Sequence, residues 1–349
     1  MPISFAGAEG PMTTPEVLGL LIKCVTFFLI VVTAVAYVVL FERRVVAHIQ
    51  SRMGPNRVGF QGLLQPLADA LKLISKEAIF PRNADKFLYL LAPVFASAPA
   101  FLSYAVIPVG GTVNIFGTPI ALHLADINVA LLFIFAIGSL NVYGVFLAGY
   151  ASNNKFSLFG GLRSSSQMIS YELSLGLSVM GLLMMTGSFS LVKLVEAQAR
   201  IPFIVLQPVG FLLFITAALA ELNRTPFDLP EAESELVAGF HTEYSGMKFG
   251  LFFLGEYANL ISTSCVSTCL FFGGWNGPGP AFLGPLWFTL KVVGHVFFFV
   301  WTRGTLPRFR YDQLMSFGWK VMLPIGLVNL LVTGLLMHWG VTRAFFGNG

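Results

Sequence analysis

Eight stretches of this chain are apolar over a length that reaches or approaches a membrane span: residues 17–41, 87–109, 127–147, 167–186, 203–222, 247–272, 285–301 and 319–339. A spanning helix needs roughly 20 predominantly apolar residues, and the seventh run is the shortest. Backbone groups in hydrocarbon must be satisfied within their own segment, which predicts helices. The alternation of a membrane barrel is absent, as is any fixed-period repeat. One further pattern differs from these. In the loop after the first run, Leu63, Leu64, Leu67, Leu71 and Ile74 recur at helical spacing, with Asp69, Lys72 and Lys76 between them. That spacing predicts an amphipathic helix lying in the membrane interface, and a packed protein groove would accept the same face. The expected fold is an all-α polytopic membrane protein forming a single transmembrane domain over 1–349. It has about eight transmembrane helices plus an amphipathic interfacial helix in the first cytoplasmic loop.

Composition agrees. Of 349 residues, 56% are hydrophobic, 35 are Phe and only 11% are charged, against about 25% charged in a soluble domain. Most of the surface therefore faces lipid. The 21 Lys and Arg are placed unevenly: 16 fall in four alternate connections, around Arg43–Lys86, Lys155 and Arg163, Arg224 and Lys248, and Arg303–Lys320. The loops 110–126 and 273–284 hold none. The excess of basic residues puts the long charged loops in the cytoplasm and both termini outside. The same distribution explains the net charge of +4 without nucleic acid. Residues 1–16 are acidic and lack the basic opening of a signal peptide, so the first run is expected to be a retained helix.

Soluble-enzyme chemistry finds no foothold: there is no GxGxxG after a strand, no Walker A lysine, no G-x-S-x-G and no HExxH. Cys265 and Cys269 share a helix face, but two ligands are too few for a zinc or Fe–S site. With Cys24 they read as ordinary thiols, and the chain is expected to bind no metal or cofactor of its own. Lys23 and Lys291 lie near helix ends, from which they can snorkel to the headgroups.

Three glutamates occupy expensive positions. Glu172 lies five residues into the fourth run, Glu221 just inside the cytoplasmic end of the fifth, and Glu256 nine residues into the sixth, roughly 14 Å below the interface at 1.5 Å per residue. A single such residue reads equally well as a proton carrier or as a polar tie between helices. Three in consecutive helices, at graded depths from one side, favour a proton path. The connection after Glu221 is acidic where its neighbours are basic: Asp228, Glu231, Glu233 and Glu235 fall within eight residues. Charge runs are usually solvated. Here Pro226, Pro230, Phe227 and Leu229 argue instead for an ordered loop, docked on a partner or lining a cavity.

Several motifs carry a family resemblance. Glu42-Arg43-Arg44 with Ser51-Arg52-Met53-Gly54-Pro55-Asn56-Arg57, then Ala220-Glu221-Leu222-Asn223-Arg224-Thr225-Pro226-Phe227-Asp228, then Pro307-Arg308-Phe309-Arg310-Tyr311-Asp312-Gln313-Leu314-Met315 resemble the signatures of the quinone-channel subunit family of respiratory complex I, the proton-pumping NADH:quinone oxidoreductase. The likeness runs from about residue 17 to 337. It implies a subunit at the heel of a membrane arm that forms a quinone tunnel with two peripheral subunits. Quinone is the substrate there, and FMN and Fe–S clusters reside in partner subunits. Peripheral-arm subunits would dock on the cytoplasmic face, with other membrane-arm subunits, antiporter-like ones included, alongside. The resemblance maps an acidic proton chain onto Glu172, Glu221 and Glu256. It maps an acidic coupling loop onto Asp228, Glu231, Glu233 and Glu235, and first-loop charges onto Arg43, Arg52, Asp69, Lys72 and Glu77. An isoprenoid tail needs an apolar entrance, which the first and sixth helices and the amphipathic helix would frame. The head needs polar partners, for which Arg43, Asp69 and Phe240 are candidates. A bacterial inner membrane is the expected location.

Two other classes share some of these features: subunits of membrane-bound hydrogenases and formate hydrogenlyases, and stand-alone ion transporters. The acidic loop and Arg-rich motifs favour the quinone enzyme over the first. The lack of an inverted repeat counts against the second. A plain membrane anchor explains the basic loops but not three intramembrane glutamates.

Overall fold

The computed structural model describes residues 14–115, 118–229 and 237–340. The chain opens with α1 (Thr14–Ile49), passes through the short α2 (Gln65–Ser75), and returns as α3 (Lys86–Ser103). A hairpin of β1 (Thr112–Ile115) and β2 (Thr118–Ala121) follows, antiparallel with Thr112 opposite Ala121. Then come α4 (Ala130–Ala151), α5 (Lys155–Thr186), α6 (Leu191–Ala197), α7 (Phe203–Leu206) and α8 (Pro208–Glu221). The last helices are α9 (Gly246–Phe271), α10 (Gly284–Thr305), α11 (Tyr311–Phe317) and α12 (Leu323–His338). A π-helical stretch, Gly318–Met322, joins α11 to α12.

Among the described residues six helical runs are long and apolar enough to cross a membrane: α1, α3, α4, α5, α10 and the continuous α11–α12. The 26 residues of α9 are long enough too, at roughly 1.5 Å each, but Lys248 and Glu256 interrupt their apolar character. The fifth apolar run is divided: α7 stops at Gln207 and α8 restarts at Pro208, whose missing N–H suits a first helical turn. Gln207 stays satisfied at this break, donating to Thr333 Oγ1 at 2.7 Å and accepting from Asn329 at 3.1 Å. The chain is a polytopic membrane protein, and its outermost helix shows why. Leu18, Leu21, Ile22, Val25, Leu29 and Ile30 of α1 all face outwards, and water would reject such a surface.

Local rules set the helix ends. Asp85 caps α3 by accepting from the amides of Phe87 and Leu88 at 3.0 and 3.2 Å. Asn154 caps α5 through the Phe156 amide, and Gly187, left-handed at φ +64°, closes it. Lys23 and Lys291 do not snorkel. Lys23 Nζ donates to the carbonyls of Ala121 and His123 at 2.9 and 2.7 Å, fastening the hairpin's exit to α1. Lys291 Nζ donates to the carbonyls of Phe272, Gly274 and Asn276, collecting acceptors that the end of α9 leaves open. Their positive charge is more useful to unpaired carbonyls than to a distant headgroup.

In the interior, α3 lies against α4 and α9, α4 against α5, and α5 against α8 and α12, while α1 leans on α2, α9 and α10 from outside. Lipid gives apolar side chains little reason to prefer each other, so close backbone approach must hold the helices together. It centres on Ala96 of α3. A Cβ added to Gly144 of α4 would fall 2.5 Å from Ala96 N, and one added to Gly255 of α9 would fall 2.7 Å from Ala96 O. Either Gly144→Ala or Gly255→Ala is expected to force two helices apart at a cost of about 1–3 kcal/mol. The checks are the thermal midpoint of the purified complex and the amount of subunit retained in membranes.

Candidate functional site

Arg224 organises the polar interior. α8 ends at Glu221, and the loop turns Arg224 inward until its side chain is 1% exposed. Its Nη1 donates to Glu42 Oε2 at 2.8 Å, and its Nε donates to Glu256 Oε1 at 3.1 Å, with Nη2 2.9 Å from the same oxygen. The guanidinium face rests 4.6 Å from the Tyr257 ring centre, and Arg303 of α10 pairs with the other oxygen of Glu42. Burial alone would lower the Arg224 pKa, but the charges of Glu256 and Glu42 outweigh it and leave the group above its ordinary value. Two cations and two carboxylates, from α1, the α8–α9 loop, α9 and α10, thus balance one another, with Arg224 and Glu42 buried and Glu256 and Arg303 partly open.

Beside this network is a cavity of 150 Å³ lined by Glu221, Glu256, Arg303, Asn141, Asn259 and His241, with Phe240 and Phe252. A smaller space of 40 Å³ adjoins it, sharing Asn141, Glu221, Leu222 and Asn259 and reaching Gly138 of α4. Gly138 leaves room for the acid: a Cβ there would meet Glu221 Oε1 at 3.6 Å. Glu172 bonds Ser139 of α4, the neighbour of Gly138. The cavities are polar and large enough for water. His241 sits between the rings of Phe240 and Phe249, and burial pushes its pKa down to about 4, leaving it neutral near pH 7.

A second, apolar space lies outside. A groove of 380 Å³ is framed by Val35, Ala36, Val39 and Leu40 of α1, by Pro66, Ala70 and Leu73 of α2, and by Phe249, Gly250, Phe253 and Leu254 of α9. Arg43, Asp69, Lys72 and Lys76 supply its polar groups. Arg43 Nη1 donates to Asp69 Oδ2 at 2.6 Å, and Gln65 donates to the other oxygen at 3.0 Å. Phe249 and Phe253 line both the groove and the inner cavity, so two rings separate them.

Of the residues singled out in the sequence, Arg43, Asp69 and Lys72 meet at the groove. Glu221, Glu256 and Phe240 meet at the cavity, whereas Glu172 lines neither space. Arg52 stands apart, donating to Gln50 at 2.7 Å. Glu77 is exposed, and its backbone carbonyl accepts from Ser245. Asp228 is buried and accepts from Arg308 at 3.0 Å, away from the cavity lining. Glu231, Glu233 and Glu235 lie outside the described residues. Glu256 differs most from its expectation. Counting along its own helix isolates it, whereas the early end of α8 brings Arg224 to it. Glu42, Arg224, Arg303 and His241 were not singled out for this site. Glu42 and Arg224 do stand inside the quoted motifs, the only sequence signal they offered. Cys265 and Cys269 are buried thiols. Among the described residues no three His, Cys, Asp or Glu side chains gather as metal ligands would.

Two expected outcomes follow from these geometries. Arg224→Ala would strand Glu256 without its ion-pair partner and leave Glu42 with Arg303 alone, at about 3–5 kcal/mol, read as loss of assembled subunit from membranes. Arg224→Lys should rescue only in part, lacking the two-sided fork. Asp228 gives a pH dependence. Burial pushes its pKa up from 3.8 to about 6 against the pull of Arg308 and Arg303, and its Oδ1 finds no hydrogen-bond partner among the described residues. A raised carboxyl pKa stabilises the fold while the proton is held, and the gain disappears as pH rises through the folded value. Asp228→Asn should therefore gain on wild type between about pH 4 and pH 7, by on the order of 3 kcal/mol in all. Thermal midpoints of the two proteins across that range check it, and parallel curves would contradict it.

Comparison with known proteins places this architecture. The family model for NADH dehydrogenase matches residues 22–334. The chain is 54% identical over 328 residues to an H-type chain of the NADH-quinone oxidoreductase of Geobacter metallireducens, covering 93% of this chain and 99% of that protein. It is 52% identical over 309 residues to the H-type chain of the same enzyme in Syntrophotalea carbinolica, covering 88% and 93%. Against the corresponding chain of Protochlamydia amoebophila the identity is 54% over 301 residues, covering 86% and 92%.

Proposed function

This chain belongs to the NADH dehydrogenase family, as a membrane subunit of the NADH-quinone oxidoreductase complex, and from that premise we propose how it handles quinone and protons. A membrane quinone enters through the groove between α1, α2 and α9. Its isoprenoid tail lies along the apolar walls, and its head meets Arg43 and Asp69 on the way to the peripheral subunits. Those subunits dock on the cytoplasmic face formed by the basic loops and the acidic loop after α8. Other membrane-arm subunits pack beside the bundle, and both termini lie outside the inner membrane of a bacterium. The whole chain acts as one transmembrane domain.

Quinone reduction takes up two protons and changes the charge in the tunnel. Carboxylates that interact titrate as a set and must respond. The route runs from Glu256 through the cavity to Glu221, across the smaller space, and on to Glu172. One observation carries this most directly: the groove and the carboxylate cavity share a wall of two rings, Phe249 and Phe253. A second link is covalent. Arg43 faces the groove while its neighbour Glu42 pairs with Arg224, so adjacent residues of α1 serve the two spaces. The FMN and Fe–S chemistry belongs to partner subunits. This chain supplies shape, charge and proton acceptors.

Glu221→Gln is the sharpest test, because among the described residues Glu221 makes no ion pair whose loss would confuse the result. The variant should assemble and oxidise NADH with an artificial acceptor at the normal rate. Proton pumping and quinone reduction should fall roughly tenfold or more, the scale of a lost acid–base group. Glu256→Gln should behave similarly, with an added loss of stability from the Arg224 pair. Pumping at wild-type rate in both variants would reduce the glutamates to structural ties. For the groove, Gly250→Phe should raise KM for a long-tail quinone roughly tenfold with little change in kcat.

A further inference from the structure

α2, one wall of the groove, rests lightly on its neighbours: Leu73 packs against Gly250 of α9, and its other apolar residues stay partly open. None of its residues is buried, and Leu67, Leu71 and Ile74 are 59%, 59% and 66% exposed. Near its middle the Arg43–Asp69 pair ties it to α1. Beyond its end the chain crosses the beginning of α9. Gly246, at φ +62°, permits the crossing, since Lys76 O lies 3.2 Å from where its Cβ would stand. The hydrogen bonds here are long: Ile79 N donates to Ser245 Oγ at 3.4 Å, and Ser245 Oγ donates to Glu77 O at 3.5 Å.

A different contact holds the crossing. Lys248, in the first turn of α9, puts its Nζ 3.0 Å from the Phe80 ring centre and 4.9 Å from that of Tyr89. Nζ is shut off from solvent and has no hydrogen-bond acceptor among the described residues. A lysine ammonium has three donors and must be satisfied somehow, and ring faces attract it. The second ring cannot move aside. Tyr89 stacks on Tyr244 at 4.1 Å with the planes 4° apart, and its hydroxyl donates to Glu243 O at 2.7 Å. Tyr244 in turn donates to Tyr89 O at 3.2 Å. That oxygen is open because Pro93, four residues on, has no N–H to offer.

We propose that Lys248 is a positioning residue for quinone access: its ammonium, held between Phe80 of the segment after α2 and Tyr89 of α3, latches that segment to the start of α9 and so sets the width of the groove mouth. The proposal rests on the groove being the quinone's way in, and the experiment separates the two. Lys248→Met keeps the apolar stem and removes the charge, while Lys248→Arg keeps a cation that stacks on ring faces. In the assembled complex, with NADH oxidation by an artificial acceptor as the control for integrity, two quantities are measured: the mobility of a spin label at position 71 (Leu71→Cys) and the kinetics with long-tail and short-tail quinones. In Lys248→Met the label should loosen, and KM for the long-tail quinone should rise about fivefold at near-normal kcat. The short-tail KM should stay in place, and Lys248→Arg should restore both readouts. A label that stays immobile in Lys248→Met overturns the latch, whatever the kinetics do. A loosened label with an unchanged long-tail KM overturns the link to access. In that event Gly250→Phe decides about the groove: a raised KM keeps it as the quinone's path, and an unaltered KM removes it.

Discussion

Arg224 carries a full positive charge at 1% side-chain exposure in a protein surrounded by hydrocarbon, and the arrangement of the surrounding chain follows from that cost. An isolated ion transferred from water to such a medium is penalised by several kcal/mol even after relaxation. Counter-charges must therefore arrive with it. Glu42 comes from α1 and Glu256 from α9, and Tyr257 supplies a ring face, while Arg303 of α10 is a second cation that Glu42 holds with its other oxygen. Each group fixes the approach of the element that bears it. α8 has to stop at Glu221 for Arg224 to reach inward, and α10 has to run to its final turn for Arg303 to reach Glu42. A buried network of this kind is poor evidence of net stability, but it is strict about geometry, because removing Arg224 strands Glu256 and removing Glu42 strands Arg303.

Close packing supplies what the ion network cannot. The contacts of Gly144 and Gly255 with Ala96 bring α4 and α9 onto α3 at backbone distance, so the cavity between them has walls that do not give. Side chains that would be mobile on a looser scaffold are then held where their chemistry counts. Glu221 fits against Gly138, and His241 stays neutral between two phenylalanines. The result is a small space inside an apolar bundle, lined by Glu221 and Glu256 together with Arg303.

Much of this was legible in the residues and some was not, for physical reasons. Apolar runs marked the spans, and helical spacing of leucines marked α2. Hydropathy located the start of α5 twelve residues late, because Gly160, Gly161, Ser164 and Ser165 score as polar. They are buried and serve helix contact, as small residues do in membranes. The break at Gln207 was hidden in an unbroken apolar pattern, since its polar partners Asn329 and Thr333 lie on α12, far along the chain. The glutamates announced themselves by being expensive. Their counter-ions did not, because an arginine in a loop looks cheap until the loop folds inward. Lys23 and Lys291 were misjudged for a related reason: the carbonyls they satisfy become neighbours only after folding.

The position of α1 ties these observations to the proposed coupling. One face, with Val35, Ala36, Val39, Leu40 and Arg43, forms the groove, and helical spacing then turns Glu42 towards Arg224. A ligand that disturbs the Arg43–Asp69 pair thus acts one residue away from a buried carboxylate already balanced against two cations. The Arg43–Asp69 pair is itself partly open, at 43% and 32% exposed, whereas Glu42 beside it is 7% exposed. Glu42 cannot change its share of Arg224 without changing that of Glu256, which accepts from the same guanidinium. The proposed coupling thus has a short physical route: adjacent residues of α1 serve the groove and the Arg224 network, and Arg224 joins Glu42 to Glu256 at the cavity.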